Sequence, residues 1–385
     1  MNVFGLGDTE LATRRAVWTA REIAQQPEML RRTQALLDAQ RAELEAFLKP
    51  LLARTELRVI LTGAGTSAFI GECLAPYLAN ALPCRVESIA TTDIVSAPHL
   101  YLQQRTPTLL VSFARSGSSP ESVAASQLAD RFVDEAHHLV ISCNADGALA
   151  KHAHAAPRSR LFLLPEETHD RSFAMTSSFS CMTYAAVATF SGIERMRPRV
   201  DAIARAMDFV LSTQSAPMKA VAEQGYARVV VLGSHIFKGL AREAALKLLE
   251  LTDGEIVAVH DSPMGFRHGP KTIVNARTLV LIFLSNDPYT RRYDLDMLRE
   301  LRANATAGRV LAISAQRDSE IDPAENVVIP ELERADDVEL LFPFIAAPQL
   351  LAFHESLRRG YSPDNPNRSG TVNRIVQGVR IHAVG

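Results

Sequence analysis

From Leu57 onward, short apolar runs alternate with amphipathic stretches. Leu57–Leu61, Arg85–Ile89, Thr108–Ser112, His138–Ser142 and Arg160–Leu164 have the length and the Val/Ile/Leu content of buried strands. Runs that stay apolar, instead of alternating with polar residues, are expected where helices cover both faces of a parallel sheet. A long helical segment from Met175 to about Leu211 follows. The strand texture then returns over Arg228–Leu232, Glu255–Val259, Thr278–Leu284, Arg309–Ile313 and Asn326–Ile329. Ahead of the first strand, Glu10 to Leu48 reads as helix, with Leu36, Leu37, Leu44 and Leu48 at helical spacing and Pro50 expected to end it. The pattern predicts an α/β fold with an N-terminal helical segment over 1–50 and two similar parallel-sheet units over 51–210 and 211–385. The changeover falls near residues 205–220.

The chemistry gathers where strands end. After Leu109–Val111 comes the loop Arg115-Ser116-Gly117-Ser118-Ser119, with Pro120 and Glu121 suited to a first helical turn. A helix N-terminus presents unpaired N–H groups and partial positive charge, so an anion fits there. Ser116, Ser118 and Ser119 add neutral donors and Arg115 a charge; a plain serine N-cap is the alternative for a lone loop. A second loop of the kind, Thr62-Gly63-Ala64-Gly65-Thr66-Ser67, follows the first strand. Its G-x-G-x-x-A outline, with Glu87 about twenty residues on, raises a dinucleotide site. Thr66 and Ser67 would crowd a pyrophosphate, and such a site leaves the serine loop unexplained. Two hydroxyl-bearing loops suit a monophosphate better.

Length and charge narrow the classes. The 385 residues suffice for two ordinary domains, and 41 basic against 43 acidic residues give a net charge of −2, which does not suggest a nucleic-acid binder. No run reads as long enough to span a bilayer, and the first ten residues lack a leader pattern. Cys73, Cys84, Cys143 and Cys181 show no metal or disulfide spacing. The expectation is a soluble cytoplasmic protein with no metal and no cofactor.

In the second half, the helix expected from Phe237 to Leu251 carries Lys247 and Glu250 three residues apart on one face. Spacing alone makes this a solvated pair. Leu246, Leu248, Leu249 and Leu251 crowd the same turns, which puts charge at an apolar edge, where a carboxylate can act as a base. Downstream, Asp261 to Lys271 holds two Gly and two Pro and reads as an ordered loop without regular structure, presenting Arg267, His268 and Lys271.

Together these pieces resemble the sugar isomerase (SIS) domain family, from about Leu57 to the end, and the resemblance implies two tandem SIS domains. Gly65, Thr66 and Ser67 then fall in the first sugar-phosphate loop, and Arg115, Ser116 and Ser119 in the second. Arg242–Glu250 followed by Phe266–Pro270 resembles the isomerase half of glucosamine-6-phosphate synthase. That resemblance implies Glu250 as the proton shuttle, His268 as a ring-opening group supplied by the neighbouring subunit, and Lys247 as a helper. No glutaminase domain precedes the SIS-like region, which disfavours synthesis. Thr168–Arg171, Phe173–Ser178 (with Thr176 and Ser177 near phosphate or sugar), Asp261–Pro270 and the tail Gly370–Val379 resemble the bacterial AgaS group of galactosamine-6-phosphate deaminase/isomerases.

The activity this implies is conversion of D-galactosamine 6-phosphate to D-tagatose 6-phosphate and ammonia. Oxyanion donors are expected from Lys247 and from the helix end at Gly233–Ser234. The implied assembly is a homodimer or higher homo-oligomer with shared sites; no nucleic acid and no membrane is expected as partner. The alternatives are a plain aldose–ketose isomerase of a neutral sugar phosphate, a glucosamine-6-phosphate deaminase, and a sugar-phosphate-sensing regulator. The last is disfavoured because residues 1–50 show no basic helix-turn-helix face.

Overall fold

The structure, a computed structural model, describes residues 2–376 and 378–384. Gln377 of the tail motif, and Met1 at the head of the ten residues inspected for a leader, lie outside the described residues. A small hairpin, β1 (Asn2–Val3) with β2 (Leu6–Gly7), opens the chain. Ten further strands form two sheets. The first holds β3 (Arg58–Thr62), β4 (Arg85–Ser88), β5 (Thr108–Ala114), β6 (Ala136–Ser142) and β7 (Ser159–Leu163), in the order β4-β3-β5-β6-β7. The second holds β8 (Arg228–Leu232), β9 (Val257–Asp261), β10 (Thr278–Phe283), β11 (Arg309–Ser314) and β12 (Asn326–Val328), in the order β12-β11-β10-β8-β9. Every pairing in both sheets is parallel. All ten expected strands are present, displaced by at most two residues at their ends.

Contacts divide the chain into two compact units, and neither is continuous in sequence. One comprises Met29–Asp170, Ser177–Pro198 and Val372–Gly385, with the first sheet; the other comprises Met1–Glu28, Arg171–Thr176 and Arg199–Thr371, with the second. The division therefore runs differently from the segments 1–50, 51–210 and 211–385. It falls within one long helix, Gln26–Leu52, which also carries past Pro50. Pro50 lies in the last turn, where its missing N–H removes one bond and no further helix has to follow. The segment from Met175 to Leu211 is three helices, Ser177–Ser191, Ile193–Met196 and Val200–Thr213, interrupted where Gly192 takes a φ of 106°.

The strand order decides where a ligand can sit. In the first sheet the chain leaves β3 for β4 on one side, then crosses back to β5 on the other. Loops after β3 and β5 thus diverge to opposite faces and leave a crevice at their carboxyl ends. The second sheet repeats this at β8 and β10. The local geometry repeats as well. The Thr66–Ala81 helix is capped by Gly65 at φ 57°, ψ −129°, and the Ile236–Leu251 helix by His235 at φ 39°, ψ −112°. A non-glycine residue is strained in that conformation, so the second copy carries a cost the first avoids.

Side-chain alternation assigns helices to faces of the second sheet. Val280, Ile282 and Leu284 pack with Phe266 and with Met297, Leu298 and Leu301 of the Pro288–Asn304 helix. Phe283 points the other way and stacks on Phe344, at 5.7 Å between centroids, and beside Phe237 of the Ile236–Leu251 helix, at 6.1 Å. Phe344 belongs to the Asp337–Arg358 helix. That helix is long and apolar enough to cross a membrane by length and composition, contrary to the expectation that no run is. Its apolar window is wholly buried, as a core helix requires.

Candidate active site

In the first unit the two hydroxyl-bearing loops follow adjacent strands, β3 and β5, at the crevice. Gly63 is required by close approach: a Cβ there would lie 2.5 Å from the Ser67 Cβ. Thr66 and Ser67, opening the Thr66–Ala81 helix, are buried; Gly65 is exposed. In the second loop Ser116 is half-buried, its Oγ accepting from the Ser118 N–H at 3.4 Å. Ser119 caps the Pro120–Phe132 helix, accepting from the Ser122 N–H and donating to Ser122 Oγ at 2.7 Å. Asn144 Nδ2 donates to Ser116 O at 2.8 Å and fixes the loop from β6. The Arg115 guanidinium donates to the Arg374 carbonyl of the tail at 2.6 Å. Glu87, the residue a dinucleotide ribose would need, pairs with Arg58 at 2.5 Å and Arg85 at 2.8 Å. Burial works against its charge, but the two guanidinia hold its pKa below the usual carboxylate range.

Asp170 is the organising residue that sequence reading passed over. Fully buried, it accepts from Ser177 Oγ at 2.5 Å, Ser178 Oγ at 2.5 Å and the Ser178 N–H at 2.9 Å. Arg374 donates to the Asp170 carbonyl at 2.9 Å. The Ser177 hydroxyl, expected near phosphate or sugar, is thus held by a carboxylate at the start of the Ser177–Ser191 helix. Thr176 is buried in the other unit. The signal available was the run Thr168-His169-Asp170-Arg171, within which no residue-level chemistry singles out the aspartate.

In the second unit, Lys247 is completely buried. Its Nζ lies 2.6 Å from Glu250 Oε2 and 3.3 Å from Glu243 Oε1, and Glu243 is buried as well. The solvated-pair reading fails because the Lys247 side chain is wholly enclosed and the groups at its ammonium are the two carboxylates. Burial disfavours the ammonium, but Glu243 and Glu250 outweigh it and hold the Lys247 pKa above its ordinary value. Glu250, with 22% of its side chain exposed, is the member of the trio that reaches solvent. Lys247→Met should therefore destabilise the protein by about 3–5 kcal/mol, because it leaves Glu243 buried without its facing charge. Urea unfolding measures this, and a loss under about 1 kcal/mol would show that the ammonium compensates little.

The loop bearing His268 is more regular than expected: Pro263–Phe266 is a helical turn capped by Ser262 Oγ, and Pro270–Ile273 is a 3₁₀ turn. Arg267 pairs with Glu300 at 2.7 Å, Lys271 pairs with the same carboxylate, and His268 is exposed. His268 and Glu250 are not brought together within the chain. The helix bearing Glu250 covers the Phe283 face of the second sheet, and the His268 loop packs through Phe266 on the Ile282 face.

The Gly233–Ser234 end is also misplaced as an oxyanion donor for this pair. It sits at the opposite end of the helix from Glu250, about 20 Å away at 1.5 Å rise per residue. Carboxylates already fill this second crevice. Ser234 Oγ donates to Asp294 Oδ1 at 2.5 Å and the Ser285 N–H to Asp294 Oδ2 at 2.9 Å. Asp337 accepts from the Asn286 N–H at 2.7 Å and lies 2.9 Å from His235 Nε2. Burial pushes the Asp294 carboxyl up to about 6. Of the two crevices, the first has the chemistry to accept an anion.

A family model for the SIS domain matches residues 51–192. The chain is 46% identical over 377 residues to the Escherichia coli protein named D-galactosamine-6-phosphate deaminase AgaS, covering 97% of this chain and 98% of that one. It is 44% identical over 373 residues to the protein of the same name from Shewanella sp. (strain ANA-3), covering 95% and 92%. Among solved structures, tagatose-6-phosphate ketose/aldose isomerase from Escherichia coli superposes with a TM-score of 0.88 at 44% identity, covering 95% of this chain and 96% of that one.

Proposed function

The chain belongs to the AgaS family of SIS-domain proteins, and on that premise we propose that it converts D-galactosamine 6-phosphate to D-tagatose 6-phosphate and ammonia. The observation that carries the reading is the pair of hydroxyl-bearing loops on adjacent strands at the crevice of the first sheet. They form a phosphate pocket of neutral donors and helix N-termini, which supplies binding energy remote from the reacting carbons. The second sheet has the same strand order, and we read it as a second SIS-type unit whose crevice has been given over to Asp294 and Asp337.

In the proposed reaction His268 moves the proton that opens the sugar ring. Glu250 then takes the C2 proton, and the electron pair flows toward the C1 aldehyde to give an enaminol. Returning the proton to C1 leaves a C2 imine, which water hydrolyses to the ketose and ammonia. Lys247, with its Nζ 2.6 Å from Glu250 Oε2, fixes the direction in which that carboxylate points. The proton shuttle, the ring-opening group and the phosphate contacts of Gly65, Thr66, Ser67, Arg115, Ser116, Ser119, Thr176 and Ser177 are all part of this proposal. Phosphorylated sugars do not cross membranes unaided, which supports a cytoplasmic site of action.

Incubation with galactosamine 6-phosphate should release ammonia and tagatose 6-phosphate in equal amounts. Ketose without ammonia, from a neutral aldose phosphate alone, would replace the proposal with a plain isomerase; preference for glucosamine 6-phosphate would change the substrate and keep the chemistry. Ser116→Ala should raise KM about 10-fold or more while kcat stays within about twofold, as loss of a hydrogen bond to a charged group costs about 1.5–3 kcal/mol. Steady-state kinetics decide this, and unphosphorylated galactosamine turning over equally well would remove the phosphate pocket.

A further inference from the structure

Away from the hydroxyl loops, the first unit holds a cluster the proposed reaction does not use. We propose that Asp130, His138 and His152 form a binding site for a divalent transition-metal ion of the zinc class. Asp130 lies in the last turns of the Pro120–Phe132 helix, His138 near the start of β6 and His152 on the Ala148–Ala155 helix. The loops that would hold phosphate are at the other end of these elements, so this is a separate site.

Both imidazoles turn the same nitrogen toward one carboxylate. His138 Nε2 is 2.8 Å from Asp130 Oδ1, and His152 Nε2 is 3.2 Å from Asp130 Oδ2. One ligand atom from each of the three residues falls within a span of 4.8 Å. The two rings stand edge-on at 88° with centroids 5.8 Å apart, which leaves their Nε2 atoms converging without stacking. His138 is 2% exposed, so its ring is fixed. Its other nitrogen, Nδ1, faces Ser126 Oγ at 3.4 Å, one helical turn before Asp130. That is the outer-sphere partner a ligating histidine needs to hold its ring and tautomer. His152 Nε2 is buried yet makes no hydrogen bond of acceptable geometry, although Asp130 is near. A directional donor is poorly served there, whereas a central ion would satisfy it.

Tetrahedral zinc, with bonds of about 2.0–2.1 Å, needs ligand atoms about 3.3–3.5 Å apart. The half-exposed side chains of Asp130 and His152 can make the movement of about 1 Å that this requires, and the buried His138 stays put. Asp130 and His138 also line a cleft with Arg158 and Ser159, which gives an ion a route in and water a fourth position. Two imidazoles and one carboxylate select zinc, cobalt, nickel or copper over magnesium and calcium. Both helices joined by the ion begin at the serine loop: Ser119 caps one, and Leu149 N of the other donates to Gly117 O at 2.9 Å. The ion would pin these helices to each other and to β6.

The test is titration of the untagged, chelator-treated protein with cobalt(II), followed by zinc competition. The expected result is one ion per chain, with the intense visible absorption of four-coordinate cobalt. His152→Ala and Asp130→Asn should each weaken binding at least about 100-fold, more than loss of an outer-sphere partner does, and Ser126→Ala about 10-fold. His154→Ala, an exposed neighbour outside the trio, should leave affinity unchanged. Affinity that survives His152→Ala, or a weak six-coordinate spectrum, would mean surface histidines bind the ion and the trio is an Asp–His hydrogen-bond network. Because these readouts are independent of turnover, they stand whichever sugar phosphate the enzyme accepts.

Discussion

Glu250→Gln should lower kcat by at least about 100-fold while leaving KM within a few-fold, since a positioned general base contributes about 10²–10⁴. The amide retains the shape and an oxygen that can still accept from Lys247 Nζ, now 2.6 Å from the carboxylate. Lys247 also keeps Glu243 at 3.3 Å, so the buried ammonium is not abandoned and the fold should survive. What the variant loses is the ability to take up a proton from C2. Steady-state kinetics with galactosamine 6-phosphate, beside a melting curve matching the parent protein, separate this from unfolding. Retention of more than about a tenth of kcat would take Glu250 out of the proton transfer.

The contrast between Glu250 and its neighbours shows what the sequence could and could not disclose. All ten sheet strands were legible, because short runs that stay apolar between amphipathic helices fit little besides strands buried on both faces. The crevice followed from them: once β3 and β5 are neighbours, their hydroxyl loops must meet at the reversal of strand order. Burial of Lys247 was not legible, because helical spacing says which residues share a face and not what covers it. Nor was Asp170, whose role lies in accepting from Ser177 and Ser178 across a bend. The division of the chain is another such case. Residues 2–28 read as part of one helical preface, yet they belong with a sheet whose first strand is β8, far along the chain. Gly233–Ser234 looked like the Gly63–Ser67 loop, and its backbone does repeat it. With Phe237 in place of Ser67, and Asp294 taking the Ser234 hydroxyl, the copied loop has lost its anion chemistry.

Mixing inactive Glu250→Gln with inactive His268→Ala should restore activity if the two residues serve one reaction. The structural reason is the second sheet itself. Glu250 sits on the helix over its Phe283 face and His268 in the loop over its Ile282 face, with the buried strands β8 and β10 between. A side chain cannot reach through a packed sheet about 10 Å thick with its covering layer. A site using both residues must therefore draw His268 from another copy, and the exposure of Met264, His268, Gly269 and Pro270, on a turn anchored by buried Phe266, suits a loop that completes a neighbour's pocket. In a heterodimer with a two-fold axis, one site then carries both lesions and the other carries neither, so each heterodimer should regain about half the parent activity. Subunit exchange is verified separately, by mixing copies with two different labels. A mixture that exchanges and stays inactive at every ratio would place His268 outside the chemistry, since its own subunit's Glu250 is out of reach.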